Sequence, residues 1–382
     1  MKKFTNLLMK SCLLIILLLL MAVPTYSQYK LSKIDEFKIN SLLDVDIVDY
    51  SPKNKLYLGF MNSSEGDRIL LINKKGEIIA NKNLKGQEPN QYVSNLNAMT
   101  FSKDGDIWLQ TVTHILLYDQ MLVQKKRIPY PSSVKMQIYG RKEAFPYFYK
   151  DSPESGFSFI TNPSGTNSYM PNGKTNSDLI EVYNTEIDEL HRIAPIADRS
   201  IYGKLDNSLV SSLYFIVYSI NKNSRKVFLT TRLDDEITVY NLETGKLESK
   251  IKINHGDFKV LKLNTIASKD LSSDGRESLG ARNHKVFSMD NDLIVLDYIK
   301  EIPYGIYEIK KADDPSYQHM QDADYHKLIL FDGNRQVSED IPMPTNGHLM
   351  LGLLDDQLLF KIVDPDVEED FIRYQVFKLV KE

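Results

Sequence analysis

Residues 237–241 read ITVYN and pass through the turn 242–245 (LETG) into 246–253 (KLESKIKI): an apolar strand, a tight polar turn, and a strand alternating apolar with polar. That unit recurs. Its other copies are 69–73 (ILLIN), 115–119 (ILLYD), 179–184 (LIEVYN), 328–332 (LILFD) and 374–378 (YQVFK), and all but the last run into a turn and a further strand. A period of two broken by Asn, Asp, Gly and Lys identifies β-hairpins. Outside the first 27 residues no stretch holds the i, i+3, i+4, i+7 pattern of a core helix through three turns.

A second hairpin precedes each of these, with an aromatic or Leu entering a polar turn before a very apolar strand. The copies are YSPKNKLYLGF from Tyr50, FSKDGDIWLQT from Phe101, YGRKEAFPYFY from Tyr139, YSINKNSRKVFLTT from Tyr218, FSMDNDLIVLDY from Phe287 and LLDDQLLFKI from Leu353. Two hairpins make a four-stranded antiparallel unit, and six units over residues 28–382 take about 59 residues each, close to the size of propeller blades. The expected fold is all-β, a six-bladed β-propeller of four-stranded antiparallel blades. The sixth repeat stops after three strands, while 31–40 (LSKIDEFKIN) alternates and belongs to no repeat. Pairing that N-terminal strand as the outer strand of the last blade closes the ring and leaves no open sheet edge.

Lys2, Lys3 and Lys10 precede the apolar run 12–23, and Thr25 and Ser27 occupy the −3 and −1 positions of a cleavage point before Gln28. This is the pattern of a secretory signal over 1–27, followed by a single propeller domain over 28–382. Twelve apolar residues fall short of the roughly 20 of a membrane span, so none is expected in the mature chain. Cys12, the one cysteine, stands at the wrong end of the apolar run for a lipoprotein and is lost with the signal. The remainder can form neither a disulfide nor a thiolate metal site. It carries 44 basic against 51 acidic residues, without the clustered basic excess that nucleic acid demands.

In such a blade the first-to-second and third-to-fourth turns share one face, and the remaining connections share the other. The turns of the first face are short: KNK, KDGD, DNDL, NKKG, LETG and DGNR. The long segments 84–94, 151–177, 194–208, 254–283 and 299–325 all fall on the second, which is therefore the expected binding face. Tyr92, Tyr169, Tyr202, Tyr304, Tyr317 and Tyr325 lie there outside any strand pattern, and Tyr with Asn and Gln suits an adaptable recognition surface. Gln87, Gln91, Tyr92, Tyr317 and Tyr325 are the candidate ligand-binding residues.

His319, Asp322, Asp324 and His326 lie close together in 317–326 (YQHMQDADYH), and all are types that ligate divalent metals, although the signal is weak and a solvated acidic loop explains them without a metal. No cofactor is expected, and a divalent metal at these residues is the one exception their types allow. The other histidines, His114, His191, His255, His284 and His348, are scattered without catalytic spacing. Asp104 with Asp106, Asp290 with Asp292, and Asp355 with Asp356 imitate glycosidase carboxylate pairs. Each pair falls in a first hairpin turn, where Asp is favoured by tight backbone geometry. Neither a G-x-S-x-G elbow nor a P-loop is present.

At 86–92 the chain reads GQEPNQY, followed nine residues later by FSKDGDIW. Together these resemble the exported six-bladed propellers of Bacteroidetes, including the TolB-like group, in which a G-x-G-P-G-E-aromatic loop precedes such a strand. Gly86, Pro89 and Tyr92 match, while Glu88, Asn90 and Gln91 depart. The resemblance implies an envelope protein that binds or senses, often lipid-anchored, and it supplies no catalytic residue.

The reading that results is an exported, periplasmic or cell-surface propeller, without enzymatic activity, that recognises a protein, peptide or glycan through its long-loop face. The alternative is an envelope hydrolase or lyase with its site in the central funnel, metal-assisted through His319–His326. The fold accommodates both.

Overall fold

The alternating segments fold as the hairpins their period demands. The structure is a computed structural model and describes residues 28–63, 66–129, 143–144, 147–148, 158–161, 178–185, 187–200, 216–259, 279–289, 291–364, 367 and 369–382. The signal segment 1–27, Tyr169 and Tyr202 lie outside the described residues.

The chain opens with β1 (Tyr29–Ile39). The first sheet follows as β2 (Val45–Ser51), β3 (Leu56–Ser63), β4 (Gly66–Asn73) and β5 (Ile78–Asn83), and the second as β6 (Leu96–Phe101), β7 (Ile107–Thr111), β8 (His114–Tyr118) and β9 (Gln124–Pro129). β10 (Glu143–Ala144) adds to β6 in parallel. The third sheet holds β11 (Tyr147–Phe148), β12 (Ser158–Thr161), β13 (Asp178–Asn184) and β14 (Glu189–Pro195), and the fourth β15 (Ile216–Asn221), β16 (Lys226–Thr231), β17 (Glu236–Asn241) and β18 (Leu247–Lys252). In the fifth, β19 (Arg282–Ser288), β20 (Leu293–Ile299) and β21 (His326–Asp332) are flanked by an outer strand split into β22 (Arg335–Gln336) and β23 (Ile341–Pro342). The last sheet is β24 (Gly347–Gly352), β25 (Gln357–Ile362) and β26 (Ile372–Lys381), with β1 as its outer strand.

The arrangement is that of a propeller. β2 abuts β6 and β24, and β19 abuts β15 and β24, so first strands gather around an axis. Apolar clusters fill the spaces between sheets, as where Leu58 and Leu71 meet Met99 and Leu109, or Ile329 and Phe331 meet Phe228 and Val239. Closure by the N-terminal strand is present in register, from Tyr29 opposite Lys381 to Ile39 opposite Ile372.

Two expectations need correction. The described residues show five complete blades and not the six expected; of the inner half of the third sheet they include only the two residues of β11 and the four of β12. The hairpin expected from Tyr139 is absent from the described residues: Glu143–Ala144 joins the neighbouring sheet, and Tyr147–Phe148 pairs with Ser158–Thr161, inside a segment read as loop. The second correction is a helix, α1 (Tyr304–Asp313), between β20 and β21. None of its residues is buried, so it has no core-facing stripe for periodicity to detect.

The short-turn face is built for structure. Asn54 Nδ2 donates to Gly105 O at 3.1 Å, Asn221 Nδ2 to Asp292 Oδ1 at 2.9 Å, and Asn291 Nδ2 to Asp356 Oδ1 at 2.7 Å, so amides tie the first turns of neighbouring blades together. Asp292, Asp355 and Asp356 all have φ near +60°, the left-handed geometry that Asp tolerates. Asp104 and Asp106 pair with Lys53 and Lys125. These carboxylates are turn residues. Asp290 lies outside the described residues.

Candidate functional site

Innermost strands bulge where they leave the long-loop face. The extra residue is Val48 in β2, Asn97 in β6, His284 in β19 and Met350 in β24, each unmatched in its ladder. A bulge re-aims a side chain. In the fifth sheet it brings His284 Nδ1 to 2.9 Å from Asp297 Oδ2, on the adjacent β20. Asp297 is the one acid in the apolar strand LIVLDYI and is buried. Its other oxygen lies 2.9 Å from Nδ1 of His326, the first residue of β21. The far nitrogen of His326 lies 3.1 Å from the carbonyl oxygen of Met320.

Burial opposes charge on Asp297, but the His326 and His284 imidazoles outweigh it and hold the carboxyl well below its ordinary range. Burial also opposes charge on His326, and the Asp297 carboxylate overrides it, raising the imidazole. For His284 burial wins, taking it down to about 4 against its bond to Asp297. His348, on the innermost strand of the last sheet, is lowered to about 4 by burial and then by His326, Lys361 and Lys285. Lys361 is itself held by Asp44 and by Asp46 at 2.8 Å.

Among the described residues, the four read from sequence as a metal cluster do not form a group of three ligating side chains. His319 is buried with Nε2 3.0 Å from Lys300 O. Asp322 accepts from Lys310 Nζ and Tyr317 OH, both at 2.8 Å, and from the Asp324 amide, which caps the 3-10 turn Ala323–Tyr325. Burial raises its carboxyl, and the Lys310 and Tyr317 bonds bring it below its ordinary value. Asp324 is exposed. Among the described residues His326 is the one of the four that belongs to a group of three ligating side chains, with His284 and Asp297 from neighbouring strands and donor atoms within 4.8 Å of one another. Spacing along one loop could not reveal this. The legible signal was a lone Asp inside a buried strand.

The candidate ligand-binding residues divide in the same way. Tyr92 is 2% exposed and packs between the first two sheets, which corrects its reading as a rim residue. The loop around it is a clasp: Asn90 Nδ2 donates to Leu122 O at 2.9 Å, Tyr118 OH donates to Asn90 O at 3.2 Å, and Arg127 Nη2 donates to Gln91 O at 2.6 Å. Leu122 belongs to a turn of the opposite face, so the clasp descends the flank of the second sheet. Gln91 Oε1 accepts from the Glu88 amide, and Gln87 is exposed. Tyr317 and Tyr325 are half-buried, with Lys310 over both rings. Burial, then the Asp322 bond, raises the Tyr317 hydroxyl.

What the long-loop face offers instead is apolar. α1 exposes Tyr304 (56%), Ile306 (43%) and Ile309 (59%), and other connections of the same face expose Leu42, Leu43, Val93, Val363 and Val367. Lys310 and Lys311 in its last turn suit the negative end of the helix dipole.

No family model matches the chain, and no curated protein matches it either. Solved structures do. The chain is similar to a member of the DUF4221 family from Bacteroides vulgatus ATCC 8482, with a TM-score of 0.69 and 9% identity over 94% of this chain and 100% of that one. It is also similar to a protein of Bacteroides fragilis NCTC 9343 named, by inference, as exported, with a TM-score of 0.56 and 12% identity over 94% of this chain and 98% of that one. The likeness is one of fold. Among the described residues no helix is long and apolar enough to cross a membrane.

Proposed function

We propose that this protein is an exported binding propeller of the cell envelope, periplasmic or on the cell surface, that docks a protein or peptide on its long-loop face. The observation that carries the reading is α1, a helix with no buried residue and three large apolar side chains in water. Apolar side chains grouped on one exposed element mark interaction sites, whereas the opposite face exposes Met121, Ile187 and Leu354 in three separate turns. A glycan fits it less well, because covering Ile306 and Ile309 with a sugar would desolvate hydroxyls without giving them partners. The same reading takes the ring as six-bladed, with the third sheet completing the set, and is supported by apolar clusters between the last and first sheets and between the second and third. Gly86, Pro89 and Tyr92 support affiliation with the TolB-like group. Export is supported by the signal pattern over 1–27.

The test is a photoreactive residue placed at position 309 and, on the opposite face, at position 121. Crosslinking to an envelope protein from position 309 alone is expected. Crosslinking from position 121 alone, or from neither, overturns the reading. Intact mass of protein taken from its native envelope should begin at Gln28.

A further inference from the structure

We propose that His284, Asp297 and His326 bind one divalent transition-metal ion on the axial side of the fifth blade. A carbonyl oxygen only accepts, so Nε2 of His326 must carry a proton and donate it to Met320 O, 3.1 Å away. A neutral imidazole has one N–H. Nδ1 therefore presents a lone pair to Asp297 Oδ1 at 2.9 Å, two acceptors at a separation that requires a positive charge between them.

That charge is either a second proton or a metal ion, and the third residue favours the ion. His284 is carried by the same kind of bulge that β2, β6 and β24 contain, and here it aims Nδ1 at the other oxygen of the same carboxylate, again at 2.9 Å. With ligand distances of about 2.1 Å, two donors at right angles around one ion lie about 3.0 Å apart. Both nitrogen–oxygen separations match that edge. Two imidazoles and one carboxylate suit zinc, iron(II), cobalt or nickel, and leave coordination positions open. Asp297 and His326 are 2% and 7% exposed and His284 13%, so the way in lies on the His284 side. The Met320 carbonyl acts as the outer partner that fixes the orientation of a ligating imidazole.

The experiment uses the full chain stripped with a chelator and titrated with zinc against a chromophoric competitor. One equivalent should bind, His284→Ala should weaken binding by at least about 100-fold, and Asp324→Asn, in the exposed loop, should leave it unchanged. Cobalt(II) loading of the unaltered protein needs no variant, and a visible spectrum of nitrogen and oxygen coordination is expected. Absence of a stoichiometric ion, a spectrum of the hydrated ion alone, or loss of binding in Asp324→Asn with His284→Ala unaffected would each overturn the site and leave the proton as the charge between His326 and Asp297.

Discussion

Phe37 of the N-terminal strand stacks on Tyr374 of β26, with ring centroids 5.3 Å apart and planes 11° from parallel. On its other side Phe37 stacks on Tyr57 of the first sheet at 5.0 Å. One side chain thus joins the last blade to the first. Phe37→Ala removes both contacts from a buried site, and the expected loss is about 3–5 kcal/mol in urea unfolding. The exposed Lys30–Glu382 pair at the end of the same ladder should matter little, with Lys30→Ala changing stability by less than about 1 kcal/mol. Equal losses in the two variants would refute the assignment.

Arg199 follows the third sheet, and its guanidinium is fully buried in the fourth. It pairs with Asp234, donates to Thr238 Oγ1 at 2.8 Å and to Glu236 O at 2.7 Å. Burial raises the Asp234 carboxyl, and Arg199 opposes that rise. Arg199→Met strands a carboxylate in the interior and should cost about 3–5 kcal/mol, most of which Arg199→Met with Asp234→Leu should restore. Thermal melting of the single and double variants decides it. No recovery in the double variant would mean that the guanidinium's bonds to Thr238 and Glu236 matter more than the stranded charge.

His255 gives the fold a pH dependence of known sign. The Asn283 amide nitrogen is committed to Thr231 O and Asp234 O, so its oxygen faces His255 and accepts from Nε2 at 2.9 Å. Burial lowers His255 from 6.5 to about 4, against the Asn283 bond and the Asp340 and Asp235 charges and with Lys252. The unfolded chain takes up the proton first, so stability should fall as pH drops from 6.5 toward 4 and be level above 6.5. The slope from this residue is at most about 1.4 kcal/mol per pH unit. Comparing urea midpoints of the native protein and His255→Phe at pH 7, 5.5 and 4.5 isolates it, and a constant difference across that range would contradict the assignment.

The two faces should respond oppositely to substitution. Ile309→Ser exposes a hydroxyl where a methyl was already in water, so stability should move by no more than about 0.5 kcal/mol while partner capture falls. Gly105 has φ +89°, and a Cβ there would meet the Asn54 side chain, so Gly105→Ala should lower melting while capture per folded molecule is retained. Capture lost in the Gly105 variant alone, at equal folded concentration, would place recognition on the short-turn face.

The strands were legible because their signals are local: LILFD and ITVYN each carry the period and the turn that make a hairpin. Ring closure was legible as well, since 31–40 had no partner and the last repeat lacked one. Tyr92 was misread because an aromatic in a polar loop looks the same in sequence whether it points to water or between sheets. His284, Asp297 and His326 were missed as a group because they lie on three strands and meet only through a bulge and sheet register. α1 escaped notice because a helix with no buried residue shows no apolar stripe.

The pairing of β1 with β26 also sets an order of events. Residues about 340 positions apart must meet before either edge is satisfied, the kind of long-range closure that slows folding. A chain delivered from its N-terminus releases β1 first and gives it a partner last. Through that interval Phe37 and Ile39 stand uncovered on an unpaired edge, so the barrier to the finished ring lies in its final strand, and a chain of this design is open to pairing with its neighbours until that strand arrives.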